Sequence, residues 1–240
     1  MSGAGSGSAA VHFDYSGASV LVTGGTSGIG AGVAAAYRRA GAEVTITGRR
    51  ASAKAYDADL SGYRYLQLDV TDAARIAAVA AAVPTLDILV HSGGVALASL
   101  GKDEYEPDNF ELAVRMHLTS VYRLSRACLD TLAANRLPGD ASVVGIASMS
   151  SYFGIEVVPG YGAAKAGLVQ LMKTMAVAWS RHGVRANAVA AGLIRTPQTE
   201  RTINTPKYLA PHLARTPLGR PGESAEVAAA VLFLTSAAAA

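Results

Sequence analysis

The sequence predicts an α/β fold, a doubly wound parallel sheet with helices on both faces. Three observations predict it. Short apolar runs alternate with Ala-rich helical runs along most of the chain, and continuously apolar strands belong to sheets covered on both faces. The first such run leads into a glycine-rich turn that opens a helix, the context in which a glycine motif carries meaning. The residues with chemical character all follow strands: the glycines after residue 23, Arg49, Asp69, Ser92-Gly93-Gly94, Ser148 and Gly192. In open α/β sheets ligands sit at those carboxyl ends, near the point where strand order reverses.

The elements follow in order. Residues 19–23 are β-branched and apolar and read as the first strand. Gly24, Gly25, Gly28 and Gly30 come next, and 29–40 reads as an Ala-rich helix stopped by Gly41. Glycines let the backbone turn tightly and approach a pyrophosphate, and a helix N-terminus offers it free N–H groups; the same stretch also serves as a tight βα turn without a ligand. Strands are expected at 43–47, ending at Gly48-Arg49-Arg50, and at 63–68, ending at Asp69. A helix at 72–83 has Asp72 at its start and Pro84 after it. A fourth strand at 86–90 ends at His91-Ser92-Gly93-Gly94. A long helix, frayed or broken, is expected at 108–135, a fifth strand at 141–147 leading into Ser148, a helix at 161–182 and a sixth strand at 184–189. Residues 193–222 hold five prolines and read as an irregular lid or binding loop. The last helix is expected at 223–234.

With 240 residues, half of them hydrophobic, the chain can bury a sizeable core. Residues 1–10, rich in Gly, Ser and Ala, are expected to be a flexible tail, and 11–240 one domain. The net charge of +3 is mild and the basic residues are scattered, which argues against nucleic acid as a partner. No stretch reads as a membrane span. The single cysteine, Cys128, excludes an internal disulfide framework and suits a reducing compartment, so the expected location is cytoplasmic. No metal site is expected.

Tyr161 and Lys165 carry the clearest chemical signal. They lie four apart at the start of a helical run, so their side chains share a face. An ammonium beside a phenol favours the phenolate and lowers its pKa from about 10, which would make Tyr161 a general acid/base. Taken alone, such a pair is usually a solvated surface pair, and Ser148 more commonly a serine that ends a strand.

Together these residues resemble the short-chain dehydrogenase/reductase family in its compact single-domain form. The turn Thr23-Gly24-Gly25-Thr26-Ser27-Gly28-Ile29-Gly30 matches the family's TGxxxGxG, and Tyr161 and Lys165 its YxxxK. Ser148 matches its catalytic serine, and Leu68-Asp69-Val70 the segment that contacts adenine. Asn187 to Gly192, followed by Ile194 and Thr196, resembles the segment that meets the nicotinamide end. The resemblance implies a Rossmann-like fold and a nicotinamide cofactor held by Gly24, Thr26, Ser27, Gly28, Ile29, Gly30, Arg49, Asp69, Val70, Ser92, Gly93, Tyr161, Lys165, Gly192, Ile194 and Thr196. It implies that tyrosine exchanges the proton of an alcohol or carbonyl, that lysine lowers its pKa and holds the ribose, and that serine bonds the substrate oxygen. NADP(H) is expected over NAD(H), because Gly48 and Arg49 stand where NAD users carry an acid, and a guanidinium clasps a phosphate; the alternative is that Arg49 and Arg50 are surface charges.

Four features depart from the family pattern. His91-Ser92-Gly93-Gly94 replaces NNAG, His117 replaces an asparagine on the long helix, and Ala191 replaces a proline. The sequence also ends before the family's usual last strand, so either the sheet lacks a seventh strand or the chain is incomplete. His117 either takes part in a proton path, titrating near 6.5, or only fills space. A substrate pocket is expected around Ser148, Tyr152, Phe153 and Tyr161, with Arg195, Arg201, Lys207, His212 and Arg215 in the lid. The expected substrate is an apolar secondary alcohol or ketone, and the second choice a 3-oxoacyl thioester. A non-catalytic NADP(H)-binding sensor or scaffold is the reading from another class, prompted by His91 and His117. Relatives imply a homodimer or homotetramer.

Overall fold

The computed structural model describes residues 11–135 and 137–240; the expected tail at 1–10 lies outside the described residues. Six parallel strands form one sheet in the order β3-β2-β1-β4-β5-β6. They are β1 (Ser19–Thr23), β2 (Glu43–Gly48), β3 (Arg64–Gln67), β4 (Ile88–His91), β5 (Ala141–Ser148) and β6 (Val184–Ala191). Strand order reverses between β1 and β4, which pair directly from Val20 with Ile88 to Thr23 with His91. This is the expected doubly wound, Rossmann-like sheet. Its switch point lies beside the glycine turn.

Alternation along the strands explains the two layers of core. Side chains at i and i+2 share a face of a strand. Val20, Val22, Ile88 and Val90 point to one face and pack with Val33 and Tyr37 of α1 (Gly28–Arg39) and Val227 and Val231 of α9 (Ser224–Thr235). Leu21, Leu89 and Val143 point to the other, against Ile76 of α2 (Ala73–Ala81) and Leu168 and Met172 of α6 (Pro159–Trp179). Each such side chain, fully buried, contributes about 1.5–3 kcal/mol of transfer free energy. Capping by Asp72, whose carboxylate accepts from Ala74 and Arg75 N–H, starts α2 as expected. On the first face, Tyr37 is fully buried and shares the Thr235 hydroxyl with Tyr15, at 2.7 Å each. Arg185 of β6 donates to the carbonyls of Gly139, Leu234, Ser236 and Ala239. It thereby holds the end of α9 against the sheet.

Two expectations need correction. The long helix at 108–135 is broken, as the sequence allowed, but into three α-helical pieces, α3 (Pro107–Val114), α4 (Ser120–Ala127) and α5 (Leu129–Ala133), with an unforeseen π-helical turn, Arg115–Thr119, between the first two. The wider π turn presents His117, buried, at its centre. The stretch 193–222 is not wholly irregular either, for it folds α7 (Glu200–Ile203) and α8 (Pro206–Leu213). Pro206 takes the first helical turn, where its missing N–H is harmless. Element ends otherwise shift by a few residues, and β6 runs on to Ala191.

Candidate active site

The glycine turn is built by what its residues lack. Gly24 sits at φ +67°, and a Cβ there would lie 2.8 Å from Gly93 Cα. A Cβ on Gly30 would lie 2.3 Å from the Gly24 carbonyl oxygen. Only hydrogen fits at either place, so the turn packs on itself and on the loop after β4. Thr23 completes this floor by accepting from the N–H groups of Ser92 and Gly93, at 3.1 and 3.0 Å. Ser27 is the N-cap of α1 but makes no side-chain capping bond, and no acidic residue occupies the first turn. A cradle closed to side chains and a helix start left without an internal anion fit a dinucleotide pyrophosphate.

The other expected cofactor positions gather around this turn. Thr196 approaches Gly28, whose Cβ would stand 3.2 Å from its methyl, and Gly192 has open space about it. Ile194 is buried and bridges to Gly222, anchoring the lid's first residues. Thr26 and Ile29 are partly buried in the turn itself. Asp69, exposed at the end of β3, accepts from Thr71 N and Oγ1, and these bonds with Thr71 hold its carboxyl below the usual range. Val70 is half-buried beside it and lines a cavity of about 510 Å³ reaching to Phe110, Val114 and Arg123. Tyr161 is not among the residues that line it.

At the end of β2 the side chain of Arg49 is exposed, while Arg50 stacks over the Tyr56 ring, 4.8 Å from its centroid. The Tyr56 hydroxyl accepts from Arg50 N–H at 3.0 Å and fills the space in front of Gly48, where a Cβ would come within 2.3 Å of it. An acidic side chain at 48 would therefore require Tyr56 and Thr26 to shift. Arg50 is committed to structure, and Arg49 alone of the pair is free for a ligand.

Tyr161, Lys165, Ser148 and His117 come together from three elements. The rings of His117 and Tyr161 meet edge to face, 4.8 Å between centroids. Lys165 Nζ lies 5.5 Å from the Tyr161 ring centroid and donates to the Ile146 carbonyl at 2.6 Å. Burial pulls the Lys165 ammonium down to about 8. The expected lowering of the phenol by lysine is not what the geometry gives. Burial pushes the Tyr161 phenol up, the facing Ser148 hydroxyl pulls it down, and the Glu104 carboxylate pushes it up again. Lys165, drawn down to about 8, has lost its proton before a phenol raised above 10 ionises, so no ammonium faces the phenolate to offset the desolvation.

Both unusual histidines are buried. His91 Nε2 meets Ser125 Oγ at 2.7 Å, and burial, with the Lys165 charge, takes it down to about 3. His117 Nε2 donates to the Val95 carbonyl at 3.2 Å, leaving Nδ1 without a hydrogen-bond partner among the described residues. It too is held down to about 3 by burial and Lys165, so the expected titration near 6.5 is overturned and the ring is neutral at neutral pH. Gly94, at φ +136°, makes room for it: a Cβ there would lie 2.4 Å from the imidazole.

Of the expected substrate wall, Tyr152 and Phe153 are exposed, as is Val157 on the same connection. The lid reaches this wall through Arg215, 5.0 Å from the Phe153 ring centroid. Arg195 pairs with Glu223 and Arg201 stacks over Tyr208. Lys207 and His212 lie on α8. Sequence reasoning missed Glu104 and Tyr56, because a glutamate among charged neighbours and a tyrosine in a polar connection read as solvated.

Comparison with known proteins gives the same picture. The family described as enoyl-(acyl carrier protein) reductase matches residues 24–240. Galactitol 2-dehydrogenase (L-tagatose-forming) of Cereibacter sphaeroides is 33% identical over 237 residues, covering 95% of this chain and 91% of that protein. A 3-oxoacyl-acyl-carrier-protein reductase of Haemophilus influenzae is 34% identical over 225 residues, covering 90% and 89%. A solved structure from Beutenbergia cavernae, described as an NAD(P)-dependent gluconate 5-dehydrogenase with NADP bound at low occupancy, superposes with TM-score 0.81 at 31% identity, covering 95% of this chain and 92% of that one.

Proposed function

Because the chain belongs to the short-chain dehydrogenase/reductase family, we propose that it is an NADP(H)-preferring oxidoreductase that interconverts a secondary alcohol and a ketone, with Tyr161 as general acid/base. The observation that carries this reading is the gathering of Ser148, Tyr161, Lys165 and His117 beside the glycine turn. A nicotinamide cofactor, when bound, supplies or accepts the hydride. The chain's own residues do the rest. Ser148 and Tyr161 offer hydroxyls to the substrate oxygen as charge develops on it. The phenol, held protonated at neutral pH, is ready to give its proton in reduction. Lys165, behind it, keeps a positive charge below about pH 8. Gly24, Thr26, Ser27, Gly28, Ile29 and Gly30 would hold the pyrophosphate, and Asp69 and Val70 the adenine. Ser92, Gly93, Gly192, Ile194 and Thr196 would hold the nicotinamide half, and Arg49 a 2′-phosphate.

For the substrate, exposed Tyr152, Phe153 and Val157 favour an apolar substituent beside the reacting carbon. A 3-oxoacyl thioester is the second reading, favoured by the likeness to the Haemophilus reductase. Against the non-catalytic reading stand the structural uses of the two histidines that prompt it: His91 meets Ser125, and His117 packs on Tyr161. Phe110 and Tyr122 of the α3–α4 stretch and Val177 of α6 are exposed apolar groups that suit a homo-oligomer, checked by light scattering. The deciding experiment is NADPH and NADH oxidation against a panel of apolar ketones, keto-sugars and a 3-oxoacyl thioester. Tyr161→Phe should lower the best rate by about 10²–10⁴-fold. Arg49→Ala should erase the NADPH preference; equal kcat/KM with both cofactors in the wild type sinks that preference.

A further inference from the structure

Glu104 lies in the connection before α3, far from the helix that carries Tyr161 in sequence, and it is 0% exposed. Its Oε2 accepts from the backbone N–H of Tyr161 at 2.7 Å, across 57 residues, and its Oε1 from the N–H of Leu97 at 3.0 Å. We propose that Glu104 is a positioning residue for the reaction, holding Tyr161 in register with the loop that follows β4; the proposal rests on Tyr161 being the acid/base.

The argument begins at the start of α6. The first-turn amides of a helix have no partner within the helix. Val158, the N-cap, has no side chain that accepts, and it makes no capping bond. A serine or aspartate there would cap the helix locally at small cost. Instead the chain brings in a carboxylate from elsewhere and buries it completely. Burying a carboxylate is unfavourable unless it is well bonded, and none of the ion pairs among the described residues includes Glu104. As a way to stabilise a helix this is inefficient. What it adds is a link. Leu97 closes the segment Gly94–Val95–Ala96–Leu97, which His117 also grips through the Val95 carbonyl. One side chain thus ties the floor of the site to the residue that carries the phenol. Residues whose reacting atoms must be placed to within a fraction of an ångström are served by such rigid supports.

The carboxylate also faces the phenol electrostatically. The groups around Tyr161 are Ser148 from the end of β5, His117 from the π turn, Lys165 from α6 and Glu104 from the connection before α3. Ser148 and His117 are uncharged there and Lys165 is a cation below about pH 8, so Glu104 is the one anion of this set, and it favours the protonated phenol.

The test compares wild type, Glu104→Gln and Glu104→Asp, with Tyr161→Phe to identify the Tyr161 signal in a tyrosinate absorbance titration. Glutamine matches the shape but cannot accept at both ends. Glu104→Gln should move the Tyr161 titration to lower pH and lower kcat by about 10- to 100-fold with KM little changed. Glu104→Asp keeps the charge, so it should move the titration less. Wild-type titration and wild-type kcat in Glu104→Gln, or a fall in Tm alone, would overturn the proposal. If Glu104→Gln does not fold, Glu104→Asp decides: lower kcat at constant KM supports the proposal, and wild-type kcat overturns it. The titration needs no turnover, so it still reads Glu104 if no panel substrate reacts and the oxidoreductase reading itself fails.

Discussion

Helices α1 and α6 both begin at the rim of the sheet, and they treat their first-turn amides in opposite ways. The start of α1 has no capping side chain, no acidic residue in the first turn and glycines in front of it. The start of α6 has a buried carboxylate bonded to the amide of its third residue. Both ends carry the same partial positive charge. One is left for an anion that arrives from outside, and the other is neutralised from within. The difference separates binding from positioning. A helix start that must exchange its partner is kept bare, and one that must keep a reactive group still is given a permanent partner.

The comparison can be broken at the fixed end first. Lys165→Met should lower kcat/KM by about 10²–10⁴-fold and yet raise Tm. The folded-state pKa of Lys165 is depressed from 10.5 to about 8, so between those values the unfolded chain holds more protons and stability rises with pH. At pH 7 the buried ammonium is therefore a net cost, which methionine removes; each kcal/mol recovered is worth about 2–4 °C in a chain of this size. The gain should vanish above about pH 10.5, and thermal melts across pH check it.

At the bare end, Gly30→Ala puts a methyl against the Gly24 carbonyl. Overpacking of this kind amounts to about 1–3 kcal/mol. It should appear chiefly as weaker binding of NADPH, roughly 5- to 150-fold, measured by fluorescence titration, with kcat at saturating cofactor less affected. An unchanged Kd would mean that the turn is not the pyrophosphate cradle.

The two histidines sharpen the contrast through acid stability. Each has a folded-state pKa depressed from 6.5 to about 3, so the unfolded chain takes up protons first as pH falls. Their stabilisation is complete above about 6.5 and is lost progressively towards 3. Denaturant midpoints should fall across that window, and His117→Asn should make the fall shallower. The same variant gives the smallest catalytic effect. It should keep kcat/KM within about tenfold, or ~1.4 kcal/mol, whereas His117→Phe should lose more. If phenylalanine matches histidine at every pH, the imidazole only fills the space that Gly94 leaves.

What could be read in the sequence follows the same division. The glycine turn was legible because its function is the absence of side chains, and absence is visible in a sequence. Tyr161 and Lys165 were legible because a spacing of four on a helix is a local geometry. His117 stood out by departing from a pattern, but its neutrality comes from burial, which no local spacing reveals. The sign of the phenol's shift was misjudged for that reason: spacing gave the ammonium, while only the fold gave the burial that raises the phenol and lowers the lysine. Glu104 was invisible because its partner lies 57 residues away. The helices of the lid were hidden by prolines, although Pro206 starts α8 and Pro211 sits inside it.

The bond between Glu104 and Tyr161 has a consequence in time. It joins segments separated by the whole of α3, α4, α5 and β5, so the intervening loop must close before it can form. Local helices can form long before then. During refolding, helical signal should therefore return ahead of activity, and the last property to mature is the placement of one phenol.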